Sequence, residues 1–433
     1  MSPVKDHDSR YQLANELHAR PFPKLKAPCR AAYLALKRPE NAAARDRELD
    51  RAHLVALLDR FGAAHPQPGA THYFGQIGRH QLKWENHTEF VTYTIFDDGV
   101  ADEPFNAATF GMFPEDWLQN APGERITSAL IRVEVCENDQ EVPEKIEKWF
   151  VPESTAASHV LDDAAIIAGD FRIDTNGHMR FAMFVRPDTD AHRLGRVIQR
   201  LCEIETYKTM SMLGLSRSRE IGPRMGPIDG KLTDLMDEMT ADRAGSEQTL
   251  KALLGVSAEL ESILARNAFR FGATGAYEAL VSQRIEILRE ERFGGYQTFS
   301  EFMMRRFDPA MRTVESTERR LQTLADRAMR AGDLLRTRVD VERSAQNQVL
   351  LESMNRRAEM QLRLQQEVEG LSVAAISFYG VSLAGYLINP FGKTLGVDGD
   401  YLTAPLAIPV IGHVWWIVRK IRRSNDVEDR EFL

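Results

Sequence analysis

The stretch GLSVAAISFYGVSLAGYLI (370–388) carries no charged residue and is rich in Leu, Ile, Val, Ala and Phe. A membrane-spanning helix needs about 20 mostly apolar residues, so this run is long enough to cross a bilayer. A second uncharged run, YLTAPLAIPVIGHVWWIV (401–418), is interrupted only by Pro405, Pro409 and His413. The residues between, 389–400, read as a short polar loop. The pattern predicts a two-helix transmembrane hairpin over 370–418. Arg356, Arg357 and Arg363 precede it, and Arg419, Lys420, Arg422 and Arg423 follow it, whereas the loop holds only Lys393. An excess of Lys and Arg marks the cytoplasmic side. Both termini are therefore expected in the cytoplasm, with a short tail at 419–433.

Working outward, the helix that feeds the first run is very long. Asp308-Pro309 reads as an N-cap followed by proline at the first helical position. No further proline, and only the glycines Gly332, Gly370, Gly380 and Gly385, punctuate the chain from there to Ile388. An uninterrupted helix of roughly 80 residues would extend on the order of 120 Å. Val314, Thr317, Leu321, Leu324, Ala328, Ala331 and Leu335 alternate at spacings of three and four, a heptad seam. Val339, Leu350, Met354, Ala358 and Leu362 continue an apolar face at a looser period. Residues 308–369 thus read as a coiled-coil stalk that packs on neighbouring helices or on copies of itself.

Upstream, residues 231–307 read as helical. Helices are expected from about Lys231 to Phe271, kinked near Gly245, and from Ala276 to Arg292, with Gly272 and Gly275 between them. Another begins near Thr298. The segment IGPRMGPIDG (221–230) combines two Gly-Pro pairs with a further Gly, a strong helix-stop signal, and sets a domain boundary. Residues 1–220 then form an α+β domain on a mainly antiparallel sheet. Strands are expected at 30–38, two or three across 71–96, one at 126–136, and a hairpin at 164–185 turning on Asn176-Gly177. Apolar residues at helical spacing predict helices at 45–61 and 190–218.

Composition narrows the function. The net charge of −8 over 433 residues argues against nucleic-acid binding. Cys29, Cys136 and Cys202 are far apart, lack CxxC spacing, and read as free thiols in a reducing compartment. The polar stretch 1–13 has no apolar core, so no cleavable signal peptide is expected. Glu16, His18 and Arg20 belong to a short helix stopped by Pro21 and Pro23 and read as surface residues. His72, His80 and His87 lack ligand spacing and read as hydrogen-bonded strand residues. Gly392-Lys393-Thr394 mimics the end of a phosphate loop, but Leu387 stands where that loop requires glycine. No nucleophile with a paired base is legible, so neither catalytic residues nor enzymatic activity are expected. No cofactor or metal site is expected either, a divalent cation apart.

One constellation remains. Ser372, Tyr379, Ser382, Tyr386 and Asn389 are spaced by seven, three, four and three, which places them on one face of the first span. Polar groups at that depth are expected to meet protein or water rather than lipid. They could line a narrow pore in a ring of copies, or form a helix-packing face. Gly380 and Ala384 offer a close approach on a neighbouring face.

NELHARPF (15–22) and QLRLQQEVEGLS (361–372) resemble an uncharacterised bacterial membrane protein family, domain of unknown function 3422, over essentially the whole chain. The family implies no activity. The overall plan is similar to that of the CorA-type magnesium channels. These have a cytosolic α/β domain, a long stalk helix entering the first span, a short external loop and a basic tail. They are homopentamers whose first spans line the pore. Their Gly-Met-Asn signature is matched here only by Asn389, since Leu387-Ile388 precede it. The resemblance implies a homo-oligomer in the bacterial inner membrane that passes cations. A membrane-tethered scaffold or sensor whose cytosolic domain binds a protein partner is the alternative.

Overall fold

A computed structural model describes residues 4–11, 14, 22–39, 42–241, 246–395 and 399–428, the side chains of 389–395, 399–403 and 421–428 excepted. Glu16, His18, Arg20 and Gly245 lie outside the described residues. The chain divides into two compact units, Met1–Gly332 and Asp333–Leu433.

The first unit is α+β. Its nine strands are β1 (Cys29–Lys37), β2 (His72–Ile77), β3 (His80–Asn86), β4 (Phe90–Asp98), β5 (Glu124–Val135), β6 (Ala156–Val160), β7 (Ala165–Gly169), β8 (Met179–Val185) and β9 (Glu291–Arg292). They form one sheet in the order β2-β3-β4-β1-β5-β8-β7-β6-β9. Neighbours pair antiparallel except β5 and β8, which run parallel, so the sheet is mixed. β7 and β8 are the hairpin expected at Asn176-Gly177, where Gly177 has φ of 87°. β6 and the two-residue β9 carried too little alternation to be legible beforehand.

Side chains two apart share a face of a strand, and the sheet is covered on both. On one face Leu34, Trp84, Tyr93, Ile95 and Phe184 pack against α1 (Arg47–Arg60), α2 (Glu115–Gln119) and α3 (Val142–Trp149), through Leu54, Leu57, Trp117 and Ile146. On the other lies α4 (Ala191–Ala241), whose Leu194, Val197, Ile198 and Leu201 are buried. α4 packs in turn on α5 (Ser246–Leu288).

Two sequence-based expectations are corrected here. α4 does not stop at 221–230 but runs through Pro223 and Pro227 to Ala241. Ile221, Met225, Ile228 and Leu232 recur at helical spacing and are all buried. Burying four such side chains contributes about 1.5–3 kcal/mol each, against about 3 kcal/mol for each proline. The prolines and Arg219 sit on the exposed face, where carbonyls deprived of a donor reach water. Likewise α5 passes Gly272 and Gly275 unbroken. Phe271, Thr274, Val281 and Ile285 form its buried stripe, and tertiary packing of such a stripe outweighs the glycine penalty.

α6 (Phe299–Arg306) opens with a capping box between Thr298 and Glu301. α7 (Asp308–Leu395) follows almost without interruption, because Phe307 is itself helical. Asp308 is therefore within the helix rather than a cap. Val314, Thr317, Leu321, Leu324, Ala328 and Ala331 are buried in the first unit. Beside them Arg327 pairs with Asp229 of α4 at 2.8 Å. The heptad seam is thus satisfied within the chain.

In the second unit α7 continues to Leu395, and α8 covers Gly399–Glu428. The expected loop at 389–400 is shorter than read, because 389–395 are helical. Residues 343–368 of α7 are exposed apart from Ser353, which is half-buried. They include Leu350, Leu351, Met354, Leu362 and Leu364.

Candidate functional site

The C-terminal part of α7 is the one segment of described residues long and apolar enough to cross a membrane, and 6% of its most apolar stretch is buried. A core helix of a soluble protein with such a composition would be mostly buried. Within this unit α7 approaches α8 closely at a glycine. A Cβ placed on Gly380 would lie 3.1 Å from Val410 Cγ1, so that glycine marks the closest approach. Ser377 is buried, and Val373, Val381, Ala384, Leu406, Ala407 and Val414 are half-buried. Ile376, Phe378, Leu383, Ile408, Trp415 and Trp416 are exposed on the outside of the pair. A glycine at the closest approach and large apolar residues exposed around it suit helices in lipid.

The described residues of the stripe singled out from spacing differ in exposure. Tyr379 and Tyr386 are 72% and 78% exposed, Ser372 is exposed, and Ser382 is half-buried. The hydroxyls of Ser372 and Ser382 donate to the carbonyls of Val368 and Phe378, at 2.9 and 2.8 Å. Bonding to the residue four back satisfies each serine within its own helix. Asn389 belongs to α7, and its side chain lies outside those described. At the other end of the pair, the Arg419 guanidinium sits 4.7 Å from the Trp415 ring centre and the Lys420 ammonium 5.3 Å from that of Trp416. Cations over indoles are favourable contacts, and both residue types collect where apolar surface meets water. Arg422 and Arg423 are helical, their side chains outside those described.

In the first unit the structure reveals a buried polar layer between the sheet and α4. Lys83 and Glu85 alternate on β3 with Leu82 and Trp84, and α4 covers the face that bears them. The Lys83 ammonium lies 3.3 Å from Glu85 and donates to Gln199 Oε1. Gln199 donates to Glu203 at 2.7 Å, and Glu203 also accepts from Arg284 of α5. Nearby, Tyr33 and Thr206 share a hydrogen bond, and Glu205 accepts from Thr127 at 3.0 Å. Glu89 accepts from Arg270 and, at 3.1 Å, from the Tyr277 hydroxyl. The missed signal was complementary: Gln199, Glu203 and Thr206 line one side of α4.

The chemistry open to this layer is limited by space. The cavity among Tyr33, Lys83, Glu85, Cys202, Thr206 and Tyr207 has about 20 Å³, room for a single water. Burial pushes the Tyr33 phenol and the Cys202 thiol well above their ordinary pKa values. Burial, helped by Asp98, pushes Cys29 up to about 12. Thiols held protonated in this way are poor nucleophiles, and all three cysteines are free and buried. Of the histidines, His80 Nδ1 lies 2.8 Å from Asp97 and His87 stacks on Phe90. No group of three or more His, Cys, Asp or Glu among the described residues is placed to hold a metal ion.

Comparison with known proteins agrees with the resemblance carried by 361–372. The family described as "Protein of unknown function (DUF3422)" matches residues 5–425, and the chain belongs to it. Its NELHARP segment, 15–21, lies outside the described residues. No curated protein matches the chain.

Proposed function

We propose that this member of the family is an integral inner-membrane protein. α7 and α8 cross the bilayer as a hairpin, with the first unit and the C-terminal tail in the cytoplasm. The protein assembles as a homo-oligomer in which the first spans surround a cation path lined by Ser372, Tyr379, Ser382, Tyr386 and Asn389. The carrying observation is that Tyr379 and Tyr386 are highly exposed while Gly380 faces Val410 of α8. Tyr hydroxyls left in hydrocarbon without partners are costly, and neighbouring copies or water would supply those partners. The exposed helix at 343–368 likewise offers apolar surface to copies of itself. The plan is CorA-like; Asn389 alone of that signature is present.

Flux of mono- and divalent cations into liposomes carrying the purified oligomer tests the reading. Conduction altered by Asn389→Leu is the expected result. A monomeric protein, or an oligomer that passes none of the ions, would overturn it.

The serine back-bonds favour a second reading, because they leave Ser372 and Ser382 with no need of water. On that reading the hairpin is a tether and the cytosolic unit binds a protein partner. Hairpin substitutions at Tyr379 and Ser382 would then leave function unchanged.

A further inference from the structure

A groove of about 670 Å³ lies where the end of β1 meets α4 and α5, a size within the usual range for small-molecule sites. Lys37, Arg217, Arg266 and Arg270 line it against a single carboxylate, Glu89. That carboxylate is already engaged, since it is almost fully buried and accepts from Arg270 and Tyr277. Arg217 has an exposed partner in Glu220 at 2.8 Å, a contact that water screens. Arg266 is exposed and, among the described residues, bonds to Ser262 of its own helix. In a chain of net charge −8, this is a local excess of positive charge held on three separate elements. Burial lowers the pKa of the Lys37 ammonium, and Arg270, Arg217 and Arg45 lower it further against the opposing pull of Glu89. The ring of Phe269 is 54% exposed in the same lining, with the Arg270 guanidinium 5.6 Å from its centre.

We infer that this groove binds a phosphate-bearing small molecule, its phosphoryl oxygens held by Arg217, Arg266 and Lys37. Guanidinium forks match phosphate oxygens in pairs, and an ammonium adds a point charge. Phe269 provides a face on which a planar group stacks. The same phosphoryl chemistry is offered by a free oligophosphate and by a nucleotide, and Phe269 separates the two. The inference is independent of whether the hairpin conducts ions.

Isothermal titration of the full-length protein in neutral detergent tests it, with inorganic phosphate, pyrophosphate and ATP as probes. Saturable binding is expected, pyrophosphate being tighter than phosphate. Because hydrogen bonds to charged groups are each worth a factor of about ten or more, Arg217→Gln with Arg266→Gln should weaken binding at least about tenfold. Both residues are exposed, so thermal melting of that variant should match the parent. Arg266→Lys, which keeps the charge and loses the fork, provides a milder second variant and should weaken binding less. A nucleotide ligand predicts that ATP binds more tightly than pyrophosphate and that Phe269→Ser abolishes the difference. An oligophosphate predicts equal binding. Heat signals that do not saturate by about 10 mM for any probe, a range weaker than any useful metabolite affinity, would overturn the inference. So would saturable binding unchanged in both arginine variants.

Discussion

Replacing Gly214 by alanine separates two physical effects that act in opposite directions. Gly214 lies inside α4, where helix propensity alone favours alanine by about 1 kcal/mol. Its position, however, is where α4 crosses α5. A Cβ there would lie 2.3 Å from Thr274 Oγ1, 2.9 Å from Cγ2 and 3.0 Å from Cβ. Rotating Thr274 about χ1 exchanges one of these clashes for another. Its hydroxyl is also anchored, donating to the Arg270 carbonyl at 2.8 Å. The helices must therefore move apart, and overpacking of this kind costs about 1–3 kcal/mol. Allowing for propensity, Gly214→Ala should destabilise by up to about 2 kcal/mol and lower the melting temperature by up to about 4 °C. Thr274→Ala made in the Gly214→Ala background should recover part of the loss, with a coupling of about 1 kcal/mol in a double-mutant cycle. Thermal melts of the four proteins, followed by circular dichroism, measure it. A higher melting temperature for Gly214→Ala, or a coupling near zero, refutes the close crossing.

Two further outcomes follow from the packing of single residues. Burial lowers the pKa of His53, which sits on Trp117 with a ring spacing of 3.9 Å and bonds Tyr93 and the Trp117 carbonyl as a neutral ring; burial, with Arg125 adding, also lowers that of His178. Below about pH 6.5 the unfolded chain then binds more protons than the folded one, so stability should fall as pH drops from 7.5 to 5. The replacement His53→Gln with His178→Gln should flatten that slope, and an unchanged slope in the melting series would count against the assignment. In the hairpin, Gly380→Cys with Val410→Cys should form a disulfide within one chain on mild oxidation, since the native cysteines are buried. Unreduced mass analysis reads it, and only intermolecular links would contradict the pairing of α7 with α8.

Much of the first unit was legible because strands with one apolar face declare themselves. β1 and the outer ends of the β7–β8 hairpin fall within a residue or two of their expected bounds. The misreadings have a common cause. At 221–230 the local signals of Gly and Pro were weighed, while the buried positions 221, 225, 228 and 232 kept helical period through them. Gly272 and Gly275 repeat the lesson on α5. Lys83 and Glu85 carry no local sign that a helix would cover them. The stripe from Ser372 to Asn389 was visible in spacing, but spacing cannot say which side α8 occupies. Gly380 decides that, through its contact with Val410.

The parallel register of β5 and β8 has a consequence for synthesis of the chain. β1 and β4 can pair as soon as residue 98 is available, yet β1 then offers an open edge until β5 arrives. β5 in turn waits for β8, because β6 and β7 attach to the sheet only through β8. Two successive unprotected edges therefore arise during translation, the second lasting across some fifty residues of growth. Open edges are where chains pair wrongly with one another. The interval between residues 135 and 185 is thus where a nascent chain is most exposed to misassembly.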